Sequence, residues 1–239
     1  MEPIYEMQFT LSHMHVDCFG YAKPSVLLYL VQEAAGEHCA LLGVDHRALS
    51  PKNLFWAVTR NRVQITRLPR WGETIRIETW PMPTTRVAYP RCVIAYDTEG
   101  KELFRSISLW VLMDKESRAM VLPGKNDVTV AGTITGKELE APRAVATRPM
   151  EHSALRTVGF SLLDQNGHMN NTRYMDWVYD LLDSAFHREH PVQEFTVCYM
   201  NEAREGDQIS LSYELTPEKI LTIDAQRNGD RIFSAQVLF

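Results

Sequence analysis

The sequence predicts an α+β fold built twice over, each half an antiparallel sheet wrapped around one long helix. Three observations carry this reading. One turn motif occurs twice without gaps, as Asp17-Cys-Phe-Gly20-Tyr21-Ala-Lys-Pro24 and as Asp164-Gln-Asn-Gly167-His168-Met-Asn-Asn171. An apolar pattern of helical period follows each copy, and alternating strands with glycine-tipped hairpins follow each helix. Between the copies, no aromatic residue occurs from Trp110 to Phe160, and Gly124, Gly132, Gly136, Pro142 and Pro149 punctuate the stretch. At 239 residues the chain is long for one average domain and short for two, which suits two small repeated units.

Each element follows from local pattern. In the first copy Leu27, Leu30, Val31, Ala34, Ala35, Leu41 and Leu42 recur at helical spacing. Pro24 suits the first turn of that helix and Gly43 its stop. In the second copy Tyr174, Trp177, Val178, Leu181, Leu182, Ala185 and Phe186 predict one long helix, with Asn171 as its N-cap. Val63 and Ile65 alternate with Arg62, Gln64 and Thr66, and Trp71-Gly72-Glu73 turns into a strand over 74–78. The second half repeats this, with Phe195, Val197 and Tyr199 alternating and Glu205-Gly206-Asp207 turning into a strand over 209–213. Asp97-Thr98-Glu99-Gly100 and Arg227-Asn228-Gly229-Asp230 tip the hairpins, and strands over 103–113 and 232–239 close the halves. One helix and several antiparallel strands share a core only if the sheet wraps the helix. This order of elements describes a tandem, or double, hot-dog: residues 1–125, a connection over 126–156 lying partly extended against the surface, and residues 157–239.

Composition narrows the function. Hydrophobic residues at 45%, aromatics at 10% and charged residues at 23% exclude disorder, collagen and coiled coil. A net charge of −5 gives no global field for nucleic acid. Cys18, Cys39, Cys92 and Cys198 form no C-x-x-C pair, so they predict neither a disulfide framework nor a zinc ribbon, but buried small hydrophobes in a reducing compartment. His13-x-His15 and His187-x-x-His190 lack Cys or acidic partners at metal spacing, and no glycine-rich phosphate loop is present; no metal or cofactor is expected. The acidic start, Met1 to Glu6, is no secretory signal, and the longest apolar run, Val26 to Val31, is too short to span a bilayer. A cytoplasmic protein without membrane insertion is expected.

The two copies differ where chemistry could sit. Asn166 stands opposite Phe19 and His168 opposite Tyr21. With Arg67–Gly72 set on Asn201–Gly206, Glu202 stands opposite Leu68. An Asx-turn alone accounts for Asp-x-Asn-Gly, and a lone strand Glu is ordinarily solvated. Yet Asp17 makes the same turn with neither Asn nor His, which points to one active site built mainly from the second half. Asp164, Asn166 and His168 lie at a helix start, where the backbone N–H groups of Gly167 and His168 are candidates for holding an oxyanion. Glu202 is a candidate general base for water. Acyl transfer to water needs those two parts.

These residues resemble the acyl-acyl-carrier-protein (acyl-ACP) thioesterases, the FatA/FatB-type enzymes of plants and their bacterial relatives. The matching stretch runs Asp164-Gln-Asn166-Gly-His168-Met-Asn170-Asn171-Thr-Arg-Tyr174-Met-Asp-Trp177, against a family pattern of Asp-x-Asn-x-His-Val-Asn-Asn followed by Tyr and Trp. Val197-Cys-Tyr199-Met-Asn-Glu202-Ala203 resembles the family strand that bears a catalytic Glu followed by Cys. Gln32-Glu33-Ala34-Ala35 and Trp71-Gly72-Glu73-Thr74 match in the first half. The resemblance implies a double hot-dog that hydrolyses acyl-ACP in fatty acid biosynthesis. It places catalytic roles on Asp164, Asn166, His168 and Glu202, and the acyl slot mostly in the first repeat. One departure matters: Ala203 stands where the plant pattern has Cys, and Cys198 is not its equivalent. Attack by water, with Glu202 or Asp164 as base, and a covalent acyl-Asp164 anhydride both remain open.

The implied partner is acyl carrier protein, which needs a local basic patch on so acidic a chain. Arg60, Arg62, Arg67 and Arg70 occur between Val58 and Trp71 without an acid, and Arg67 and Arg70 are the candidates, against the competing reading of a solvated strand face. A homodimer is left open. Competing functions are an acyl-CoA thioesterase, a hot-dog thioester hydratase or dehydratase, and a non-catalytic acyl-binding module. Asn170-Asn171 and the separate Glu202 argue against the hydratase.

Overall fold

A computed structural model describes residues 3–239. Met1 and Glu2, the start of the acidic stretch taken as no secretory signal, lie outside the described residues. The first half runs β1 (Tyr5–Thr10), α1 (Pro24–Leu41), α2 (His46–Leu49), β2 (Leu54–Ile65), β3 (Thr74–Pro81), β4 (Tyr89–Tyr96), β5 (Glu102–Asp114) and β6 (Met120–Val121). The second runs β7 (His152–Thr157), α3 (Tyr174–Tyr179), α4 (Ser184–Glu189), β8 (Glu194–Tyr199), β9 (Gln208–Leu215), β10 (Ile220–Arg227) and β11 (Asp230–Leu238).

The strands form one antiparallel sheet in the order β1-β3-β4-β5-β2-β8-β11-β10-β9-β7, with β6 beside β5. Read from either edge, the order is the same pattern, so the tandem repeat is a two-fold in space. The halves join where β2 pairs β8, from Arg60↔Cys198 to Gln64↔Glu194. Arg62 forks onto Glu194 across that seam at 2.8 and 3.0 Å.

Helix α1 begins with Pro24 in its first turn, where a missing N–H costs nothing. Its N-terminal half is buried almost all round, from Pro24 to Leu28 and on through Leu30 and Val31, because the sheet curls about it. The second helix differs from expectation. The predicted single helix stops at Tyr179 and restarts at Ser184. Asp183 is the reason: its carboxylate accepts the Phe186 N–H at 2.8 Å, which makes a new helix start rather than a helix interior. The apolar period survives the break because Tyr179, Leu181, Leu182 and Phe186 all pack against the same core. A 3-10 turn over Asn171–Arg173 leads into α3, and its N-cap is Asn170 rather than Asn171, with Oδ1 accepting the Thr172 N–H at 3.0 Å.

The connection is shorter than 126–156, since its last residues form β7. It lies extended against the sheet, as the sequence implies: the Thr133 N–H bonds the Pro81 carbonyl at 2.8 Å, and Arg60 reaches the Pro142 carbonyl at 3.2 Å. All four cysteines are free; Cys92 and Cys198 are buried as expected, but Cys18 is exposed in the first turn.

Candidate active site

The two turns are copies at atomic detail. Asp17 Oδ1 accepts the N–H groups of Phe19 and Tyr21 at 2.8 and 3.0 Å. Asp164 Oδ1 accepts those of Asn166 and His168 at 2.8 and 3.3 Å. Gly20 and Gly167 hold φ of 82° and 74°, which only glycine adopts without strain. The Ala22 N–H bonds the Pro69 carbonyl and the Met169 N–H the Ala203 carbonyl, each at 2.8 Å, so the alignment of Leu68 with Glu202 holds in space.

One consequence corrects the sequence reading. The Gly167 N–H bonds the Asp164 carbonyl at 3.0 Å, and the His168 N–H bonds Asp164 Oδ1. Both backbone donors expected to hold an oxyanion are engaged inside the turn. Asn166 lines the cavity, and its side-chain amide makes no hydrogen bond among the described residues.

The turn brings His168 to Glu202, with Nε2 3.1 Å from Oε2. Burial, then the guanidinium of Arg204 and, more weakly, that of Arg118, hold the imidazole below its usual value, against an upward pull from Asp164. Glu202 Oε1 meets the guanidinium of Arg118, which comes from the β5–β6 turn of the first half. Arg118 carries no mark in the local sequence, because the pairing spans the two halves.

Beside the second turn opens a cavity of about 260 Å³. Asp164, Asn166 and Asn171 line one side; Gly36, Tyr89 and Trp110 of the first half line the other. The site is therefore shared between halves rather than built mainly from the second. A buried guanidinium, Arg91, is part of the wall; it donates to His38 Nδ1 at 3.0 Å and Thr79 Oγ1 at 3.2 Å. Burial and this neighbour bring the His38 imidazole down to about 4. The two-fold mate of the cavity is lined by Asp17, Phe19, Met175, Tyr179 and His187. There Phe19 replaces Asn166 and lies under the Arg188 guanidinium at 5.1 Å.

The carrier candidates separate. Arg67 forks onto Glu73 at 3.0 and 2.6 Å and lies 3.5 Å from Asp97, so its charge is spent within the strand hairpins. This corrects Arg67 as an outward docking cation. Arg70 remains exposed, over the Tyr21 ring at 5.2 Å.

Fold and site thus define a two-fold, helix-wrapping sheet with one polar cluster at a cavity between its halves. Residues 2–126 match the acyl-ACP thioesterase N-terminal domain and residues 148–237 its C-terminal domain. The chain belongs to the acyl-ACP thioesterase family. It is 26% identical over 217 residues to a palmitoyl-acyl carrier protein thioesterase of Gossypium hirsutum, covering 83% of this chain and 52% of that protein. It is 26% identical over 227 residues to an oleoyl-acyl carrier protein thioesterase of Coriandrum sativum, covering 86% and 61%. The chain spans about half the length of the curated relatives it matches. Among solved structures, an acyl-ACP thioesterase from Bacteroides thetaiotaomicron superposes with a TM-score of 0.89 at 24% identity, over 99% of this chain and 98% of that one. A 12:0-ACP thioesterase from Umbellularia californica gives 0.83 at 20% identity, over 100% and 97%. These likenesses bear out the α+β double hot-dog. Among the described residues, no helix is long and apolar enough to cross a membrane.

Proposed function

We propose that the chain hydrolyses the thioester of acyl-ACP, releasing a free fatty acid and the carrier thiol and so ending chain elongation. The observation that carries this reading is the second turn, whose Asp164 and Asn166 line a cavity walled on its far side by Tyr89 and Trp110 while its His168 lies 3.1 Å from Glu202. Glu202 takes a proton from water as its oxygen attacks the thioester carbonyl. The Asn166 amide donates to the oxygen that becomes negative. Collapse breaks the carbon–sulfur bond, and the proton passes from the Glu202–His168 pair to the leaving thiolate. Asp164 lines the same space, with its Oδ1 engaged in the turn. Ala203 leaves no thiol beside Glu202, which favours water over a cysteine nucleophile. The partner is the acyl carrier protein, and the reading places the chain beside it in the cytoplasm.

The test is thiol release from purified protein, given acyl-ACPs of graded chain length and the matching acyl-CoAs. Release with higher kcat/KM from the carrier substrate supports the proposal. Release from CoA alone would make it an acyl-CoA thioesterase. Hydration of an enoyl chain without release would indicate a hydratase, and neither reaction a binding module.

Gly36 tests where the chain lies. It sits inside α1 against the cavity, and a Cβ there would meet nothing within 4 Å. Gly36→Ala should stabilise the protein by about 0.5–1 kcal/mol, since glycine is the costlier helix residue. Gly36→Phe should fill the slot and move the released fatty acids to shorter chains by gas chromatography. An unchanged profile at unchanged rate would put the acyl chain elsewhere.

A further inference from the structure

Arg118 sits where a glycine would be expected. It occupies the tight turn from β5 to β6 with φ of +57°. A side chain at such an angle carries a backbone cost of about 1 kcal/mol or more. The turn is fully tied: the Arg118 N–H bonds the Asp114 carbonyl at 3.1 Å, and Asp114 Oδ1 accepts the Glu116 and Ser117 N–H groups at 3.1 and 2.8 Å. The guanidinium lies over the Phe55 ring at 4.7 Å and meets Glu202 Oε1. Glu202 Oε2 is thereby left to His168 Nε2.

We propose that Arg118 is a positioning residue, held by its turn and by Phe55, that reaches from the first half to fix the Glu202 carboxylate against His168. A carboxylate that is 39% exposed on a loop would otherwise swing among rotamers in water. The cation restrains one oxygen, so the other keeps the imidazole tautomer with hydrogen on Nε2. The arrangement explains why a strained non-glycine residue persists in a surface turn, and it makes the site depend on the first half through a charge as well as a pocket wall. The charged groups around Glu202 are few. Arg118 faces it from β5–β6 and His168 from the helix-entry turn, where Asp164 also acts on His168. Arg204 acts on His168, and Arg227 of β10 donates to the Glu202 backbone carbonyl at 3.3 Å while paired with Asp207.

The catalytic half of this inference rests on the hydrolase reading, so the test has a readout independent of turnover. Arg118→Gly relieves the positive φ and should leave the thermal midpoint equal or higher. Its kcat for acyl-ACP should fall about a hundredfold with KM little changed, the scale of a catalytic group misplaced by an ångström. The acid limb of kcat should move to higher pH, since the cation that favours the ionised carboxylate is gone. Arg118→Lys should recover part of the loss. In a Glu202→Gln background Arg118→Gly should add almost nothing, because both changes act on one carboxylate. Nitrogen-15 NMR of the His168 ring should show the Nε2–H tautomer in the parent and a mixture in both Arg118→Gly and Glu202→Gln. If the ring signals and kcat of Arg118→Gly match the parent, or if its loss adds fully to that of Glu202→Gln, the proposal is wrong. A protein without thioesterase activity whose ring signals still change on Arg118→Gly would keep the positioning role and discard only the hydrolase reading.

Discussion

Glu202→Gln should lower kcat by about 10²–10⁴-fold, the range for loss of a positioned general base, while the fold hardly changes. The amide keeps the size of the side chain and can still accept from His168 Nε2 through its oxygen. It cannot take a proton from water. The stability cost should be small, below about 1 kcal/mol, because Glu202 and Arg118 are both 39% exposed and such pairs are worth little in water. KM should move less than kcat, since in the proposed reaction Glu202 works at the reacting end and the acyl chain lies against Tyr89 and Trp110, which line the cavity. The pH profile offers a second check. His168 is held below its ordinary value, so its neutral form is favoured to lower pH than in a free imidazole. An acid limb that Glu202 sets in the parent should be lost or displaced with the residual rate in Glu202→Gln. Thiol release across pH, with the melting midpoint measured alongside, decides this. Near-parental turnover would pass the base to Asp164.

What the sequence could show was set by range. The Asp17 and Asp164 turns were legible because each is closed by its own side chain within four residues and by a glycine at positive φ. The hairpins at Gly100 and Gly229 were legible for the same reason. The break after Tyr179 was not. Hydrophobic period records which face meets the core, and both helical pieces meet the same one; only Asp183, a capping residue inside an apolar pattern, marked the interruption. The engaged N–H groups of Gly167 and His168 were hidden too, since the helix-start argument treats the turn as open and the Asp164 oxygens close it. Arg67 looked free because its acids lie six and thirty residues on, at Glu73 and Asp97, across strands. The sharing of the cavity between α1 and the second turn follows from the two-fold, which pairs each turn with the other half's helix. Repeat comparison reached the polar differences and could not say which half they would face.

That two-fold supplies its own control for Asp164→Ala. The aspartate has two roles to separate: its Oδ1 closes the turn, and the residue also lines the cavity. Asp17 does the first job and has no cluster for the second, because Phe19 and Tyr21 stand beside it. Removing either carboxylate leaves two backbone N–H groups without their acceptor, at a cost of about 1–3 kcal/mol reduced by the water that reaches an open turn. For a chain of this size each kilocalorie lowers the midpoint by about 2–4 °C, so Asp17→Ala and Asp164→Ala should melt within a few degrees of one another. Their turnover should differ widely. Asp17→Ala should keep most of the parent rate at a temperature where it is folded, and Asp164→Ala should lose about 10²-fold or more. The ratio of the two rates at matched stability measures what the Asp164 carboxylate does in the reaction, free of what it does for the fold. If the two variants lose activity alike, Asp164 is a turn residue only, and the chemistry falls to Glu202, His168 and Asn166.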